Sequence, residues 1–316
     1  MSYQAVNFAL ISFQALSMVG NGFIVFLFTT DEKLKKNKNL RMIFLLSSTD
    51  FLFSVLFYPY SIYILVNWDP NGFDYDPLYV MIAATPFLMQ LKINLILTIA
   101  VAVERNMALY FPVMYRRIDS SRYAIVTLLL SIVAGLTDVS LSFYMSKVMP
   151  RPNCPAVGCF CSKRFQAYWG TSNMILGLIV VFITVMLLTR LRNMKVNSSI
   201  LNNLNGIKAE GNKFKRANNT CVGILLSSLV FVTIPSICVG IGEFLDNSIF
   251  ERVGPFYSTC LCCIGCSNMF IYLFLNNDLW NLAKKTIGMN YEVSSSSSHP
   301  SKPNSWKQPN KQEVRL

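Results

Sequence analysis

An all-α membrane protein built as a seven-transmembrane helix bundle is the fold class this sequence predicts, and three observations predict it. The 316 residues are 53% hydrophobic and only 14% charged, whereas a soluble domain carries roughly 25% charged residues. The apolar residues come in long blocks rather than at helical or strand period, so lipid must cover them. Lysine and arginine are rich in every second connection between those blocks.

Seven blocks are long enough to span. Four carry no charge, at 5–30, 165–189, 217–242 and 253–277; three carry one each, at 42–68 with Asp50, 77–103 with Lys92 and 123–146 with Asp138. Each exceeds the ~20 residues that a helix rising 1.5 Å per residue needs to cross ~30 Å of hydrocarbon. The ten-residue alternation of a membrane barrel is missing. The connections at 31–41, 104–122 and 190–216 and the tail after 277 hold 5, 4, 7 and 6 lysines and arginines. Those at 66–77, 146–164 and 243–252 hold 0, 4 and 1. The positive-inside rule predicts that the first set faces the cytosol and the amino terminus lies outside. The sequons at Asn197 and Asn218 then fall on the cytosolic side, away from glycosylation. The first thirty residues hold no charge, so they lack the basic region of a cleaved leader and read as a retained helix.

After the seventh span, Leu279, Trp280 and Leu282 lie beside Lys284 and Lys285. This predicts a short amphipathic eighth helix at about 278–287, on the inner leaflet. From Val293 the chain is serine- and proline-rich, and residues 289–316 read as a disordered cytosolic tail. No internal repeat is visible, which argues against a transporter of duplicated halves. The net charge of +12 does not point to nucleic acid, because the basic residues flank apolar blocks. No CxxC pair has partner histidines, and the one histidine, His299, lies in the tail. Neither a metal site nor a cofactor is expected. Cys260, Cys262, Cys263 and Cys266 in the seventh span read as small apolar packing residues.

The third span ends on Glu104-Arg105, followed at fixed spacing by Pro112 and Tyr115. An arginine at a membrane boundary is costly unless paired or able to reach water, and a neighbouring acid can hold it. The string resembles the DRYxxxxxPxxY signature of rhodopsin-like G-protein-coupled receptors. Gly20-Asn21 in the first span and Leu46-Ser-Ser-Thr-Asp50 in the second match that pattern. So do Pro235 inside the sixth and Asn268-Met-Phe-Ile-Tyr272 in the seventh, with Met269 in the proline position. Pro235 removes a backbone bond and can bend its helix. Two features depart from the pattern: the region around Val80 has no cysteine, and Thr233 stands where a tryptophan is usual. The loop from Pro152 to Lys163, with Cys154, Cys159 and Cys161, precedes Tyr168-Trp-Gly-Thr-Ser-Asn173, and Phe256-Tyr-x-x-x-Leu opens the last span. Together these resemble the nematode serpentine chemoreceptors of class BC over roughly residues 5–288.

The resemblance implies a chemosensory receptor that detects a small molecule, such as a pheromone or odorant, and activates a heterotrimeric G protein. It implies the plasma membrane of a sensory-neuron cilium. Glu104, Arg105, Pro112, Tyr115, Pro235, Asn268 and Tyr272 would form the coupling and activation switch. Asp50 resembles the helix-two sodium-site aspartate, with Asn94 and Asn268 as co-ligands. Phe87, Gln90 and Lys92 are the candidate ligand contacts. Lys92 and Asp138 lie at similar estimated depth on neighbouring helices, about 20 and 22 Å above the ends of their spans. Lys92 either pairs with Asp138 or faces the cavity and holds an anionic ligand group. Lys147, Arg151, Lys163 and Arg164 add a local positive bias at the outer mouth. Oxidising surroundings favour a bridge from Cys154 to Cys159 or to Cys161. The run Ser294–Ser298 is a candidate phosphorylation switch.

Other classes fit less well. A seven-helix hydrolase needs intramembrane histidines, a light sensor a lysine in the seventh span, and an aminergic receptor an acid where Phe87 stands. An odorant-gated channel with a cytosolic amino terminus, or a transporter, is the remaining alternative.

Overall fold

The computed structural model describes residues 3–37, 40–70, 72, 74–201, 209–244 and 249–288. The predicted tail, with Ser294–Ser298, lies outside the described residues, as do the side chains of 195–217 and 243–256. The chain is a multi-pass membrane protein. Among the described residues, seven helices are long and apolar enough to cross a bilayer: Gln4–Thr30, Arg41–Val66, Pro77–Tyr110, Ser120–Met145, Lys163–Met194, Asn218–Gly242 and Tyr257–Leu275. No strand occurs among the described residues.

The first span is α1 (Tyr3–Thr30), followed by a short α2 (Glu32–Lys36). Prolines cut the next two: α3 (Arg41–Leu56) and α4 (Tyr58–Val66) share the second, α5 (Pro77–Ala83) and α6 (Thr85–Tyr110) the third. Pro59 and Pro86 each stand in the first turn of the later segment. A missing N–H is harmless there but breaks the ladder to the segment before. A short α7 (Pro112–Arg117) leads into α8 (Ser120–Met145), and α9 (Lys163–Leu201) is the fifth span. The sixth consists of α10 (Ala209–Ser228), a π turn at Leu229–Thr233 and α11 (Ile234–Phe244). Proline's effect therefore takes a specific form. The Ile234 N–H reaches back five residues to the Leu229 carbonyl, widening the helix one turn before Pro235. Finally, α12 (Ile249–Leu275) is the seventh span and α13 (Asn277–Thr286) turns away from it.

Asp31, Asp76, Asp119 and Asn276 cap α2, α5, α8 and α13 by accepting backbone N–H bonds, satisfying donors that a helix start leaves open. The third span is the axis of the bundle: 72% of its most apolar stretch is buried, against 22% for the fourth and fifth spans. Large apolar side chains such as Val19, Phe26, Val133 and Phe182 stand exposed in mid-span, where only lipid can cover them. Gly20 lets α1 approach α12, because a Cβ there would strike the Met269 thioether. Gly240 does the same for α11 against α9, where a Cβ would meet Met174 and the Gly170 carbonyl. Small residues at such crossings are a usual means of packing helices in lipid. In α13, Leu279 and Ala283 are buried and the Lys284 ammonium sits 4.8 Å over the Trp280 ring.

The bundle thus has an amino-terminal end, carrying the loops at 67–76 and 146–162. The opposite, basic end carries α2, α7 and α13.

Candidate functional site

At the amino-terminal end Phe87 is buried among Phe57, Trp169 and Tyr257, with ring centroids 5.8–5.9 Å away. The 146–162 loop folds down onto this cluster. A disulfide joins Cys154 to Cys159, one of the two bridges the sequence allows. Val157 and Phe160, on a single 3-10 turn, are buried in the same core. The Val157 N–H donates to the Tyr60 hydroxyl at 3.2 Å, and the Gln166 amide donates to the Gly158 and Cys161 carbonyls at 2.6 and 3.1 Å. Cys161 stays free, and burial pushes its thiol up to about 11.

One layer deeper, Lys92 on α6 and Asp138 on α8 form an ion pair at 3.1 Å, their side chains 5% and 1% exposed. Of the two roles the sequence left open for Lys92, the geometry realises the pairing. Two residues on α9 complete the cluster. Tyr168 donates to Asp138 at 3.0 Å, and Lys92 donates to the Ser172 hydroxyl at 2.9 Å. Both lie in the Tyr168–Asn173 stretch that carries the resemblance, but the sequence did not link them to this pair, although their four-residue spacing puts them on one helical face. Further hydrogen bonds matter here because a buried pair is tolerated only when its remaining valences are satisfied.

The centre of the bundle is polar. Asp50 accepts from Gln90 at 2.8 Å and from Asn268 at 3.2 Å. Gln90, grouped with Phe87 in the sequence, therefore turns away from it and belongs to the Asp50 cluster. Asn94 faces the same carboxylate from α6. Asn268 in turn accepts from Ser227, and Thr98 links Asn94 to Ser228. Asn21 donates to the Gly265 carbonyl at 3.1 Å, which gives the Gly20-Asn21 pair its purpose: the glycine admits α12 and the asparagine holds it. As arranged, both Asp50 oxygens are occupied by amide N–H donors.

At the basic end Glu104 and Arg105 lie on the last two turns of α6, whose helix runs past the predicted end of the span to Tyr110. Both are buried, and they line different cavities. Arg105 lines one of ≈ 130 Å³ together with Met42, Ile43, Val101, Ile224 and Asn276. Glu104 lines one of ≈ 260 Å³ with Tyr115, Arg116 and Tyr123. Successive residues on a helix point about 100° apart, so adjacency in sequence does not make contact. Pro112 opens α7, which carries Tyr115 back so that its hydroxyl donates to Glu104 at 3.2 Å. Burial first, then the Glu104 charge, raises the Tyr115 phenol above its ordinary range, so it remains a donor at neutral pH. Tyr272 is fully buried, its hydroxyl making no hydrogen bond.

No curated protein matches the chain. Residues 1–275 match a described family, a stretch that takes in all seven spans and ends with α12. The chain belongs to the serpentine type 7TM GPCR chemoreceptor Srbc family.

Proposed function

We propose that this receptor detects a small molecule at its amino-terminal end, outside the cell, and activates a heterotrimeric G protein at its basic end, in the cytosol. The observation that carries the reading is Arg105, a buried guanidinium lining a cavity bounded by α3, α6, α10 and the α12–α13 junction. The cavity lies at the basic end of the bundle, so a partner entering it would meet the guanidinium directly. Phe111, Val113 and Met114 stand exposed beside Arg116 and Arg117, which supplies an apolar and basic edge for the same partner.

A ligand binding the active state better shifts the equilibrium toward it. The π turn ahead of Pro235 offers the sixth span a place to change register. Phe87, Trp169 and Tyr257 are the proposed ligand contacts. With Lys92 engaged by Asp138, the cluster suits a neutral ligand better than an anionic one. The plasma membrane of a sensory cilium and a disordered cytosolic tail from 289 complete the proposal.

The test expresses the full chain and screens small secreted metabolites for a calcium or cyclic-nucleotide response. A response that disappears in Arg105→Ala at equal surface density supports the reading; one that Arg105→Ala leaves intact overturns it. Terminal tags on intact cells check the orientation, and a cytosolic amino terminus would favour a gated channel instead.

A further inference from the structure

Four polar or aromatic residues come from one stretch near the start of α9, and three of them have a place in the fold. Tyr168 and Ser172 hold the Lys92–Asp138 pair, and Trp169 packs with Phe87 and Tyr257. The fourth, Asn173, has no such role. It is 1% exposed, and among the described residues neither its amide nitrogen nor its amide oxygen has a hydrogen-bond partner.

Its position follows from its neighbours on the helix. Trp169, Asn173 and Gly177 recur at four-residue spacing and share one face of α9. Trp169 sets one end of this stripe in the aromatic cluster. A Cβ at Gly177 would lie 3.2 Å from Thr233 Cγ2, which sets the other end against the π turn of the sixth span. Asn173 therefore lies about 6 Å deeper than Trp169 at the helical rise. The Thr233 hydroxyl is also buried without a partner. Other polar groups at this level are engaged: Ser236 with Tyr257 at 2.6 Å, Lys92 with Asp138 and Ser172, and Gln90 with Asp50. A buried amide that makes neither of its bonds is unfavourable, so the floor beneath the aromatic rings suits a donor and an acceptor that the fold does not supply. A primary amide offers both on one edge. A carboxylate offers acceptors only, and the nearby cation, Lys92, is held by Asp138.

We propose that Asn173 is the polar anchor of the ligand site and selects a neutral amide carried on a flat, apolar body. The ligand N–H donates to Asn173 Oδ1, and its carbonyl accepts from Nδ2. This rests on the reading that ligands are detected at the amino-terminal end. Phe87 and Trp169 are 2% and 1% exposed, so entry parts these rings.

Phenylacetamide and methyl phenylacetate share a body, but only the amide has an N–H. Their binding to full-length receptor in nanodiscs is titrated by saturation-transfer NMR, with empty nanodiscs subtracted. The amide should bind roughly tenfold more tightly than the ester, the worth of one hydrogen bond. Asn173→Ala should remove that preference while leaving the unfolding temperature of the ligand-free receptor close to that of wild type. Thr233→Val should weaken amide binding less than Asn173→Ala does. Phe87→Ala should weaken both probes and keep the preference. A preference that survives Asn173→Ala overturns the proposal, and so does a large fall in unfolding temperature, which would give the amide a structural partner. Equal binding of the two probes that still depends on Phe87 overturns the amide class alone and leaves a water as the partner of Asn173. Binding of neither probe, or binding indifferent to Phe87→Ala, overturns the ligand site at this end together with the proposal.

Discussion

Among the described residues, two pairs of opposite charge are buried in this bundle, and they behave in opposite ways. Lys92 and Asp138 are 46 positions apart in the chain yet meet at 3.1 Å, with Tyr168 and Ser172 filling out the cluster. Glu104 and Arg105 are neighbours in the chain yet line separate cavities. The first pair ties three helices together. The second sets the guanidinium against one cavity and leaves a carboxylate oxygen without a donor beside another. A charge enclosed by its own fold holds structure, whereas a charge that lines a cavity is also within reach of a partner.

The comparison can be broken most forcefully at Lys92. Lys92→Met leaves Asp138 buried beside only Tyr168, and losing one member of such a pair costs about 3–5 kcal/mol. Thermal unfolding of purified receptor should show a large loss of stability, and surface expression should fall. Adding Asp138→Leu should recover most of it, since apolar replacement of both partners is often neutral; no recovery would mean that Lys92 has another role. Tyr168→Phe removes one hydrogen bond to the carboxylate and should cost about 1–3 kcal/mol by the same assay. At the other pair the expected sign differs. Tyr115→Phe frees Glu104 and should raise ligand-independent signalling while changing stability by less than about 1.5 kcal/mol. The smallest effect concerns Cys161, whose thiol burial pushes up to about 11. It is protonated at any pH well below that value, so it should resist alkylation at neutral pH in folded receptor and react only after denaturation. Ready labelling of the native protein would show that the 146–162 loop is open rather than seated on the aromatic cluster.

Long apolar blocks, three intramembrane charges and the loop asymmetry of lysine made the seven-helix architecture legible before any coordinates. Depth along a straight helix was enough to bring Lys92 and Asp138 level, because rise per residue is nearly constant. Rotation about the axis was harder to read. Pro86 breaks the third span above Phe87 and Gln90, and three residues along α6 are enough to move from the aromatic cluster to Asp50. The π turn shifts the sixth span by one residue and could not be located from Pro235 alone. The seating of Val157 and Phe160 depends on contacts with Tyr60 and Gln166 from distant segments, which leave no local pattern. Asp50 taking amide donors from Gln90 and Asn268 was likewise invisible, since an asparagine side chain can present either its oxygen or its nitrogen.

The central claim is that Arg105, and not the Lys92 pair, carries coupling. Guanine-nucleotide exchange on a reconstituted heterotrimeric G protein tests it most directly, with receptor variants at equal amount and verified fold. Glu104→Gln should raise exchange above that of wild type, and Glu104→Gln with Arg105→Ala should return it to the level without receptor. The Lys92→Met, Asp138→Leu double variant should keep wild-type exchange. Exchange that persists in the absence of Arg105, or that is lost with the Lys92–Asp138 pair in a stable double variant, would contradict the account.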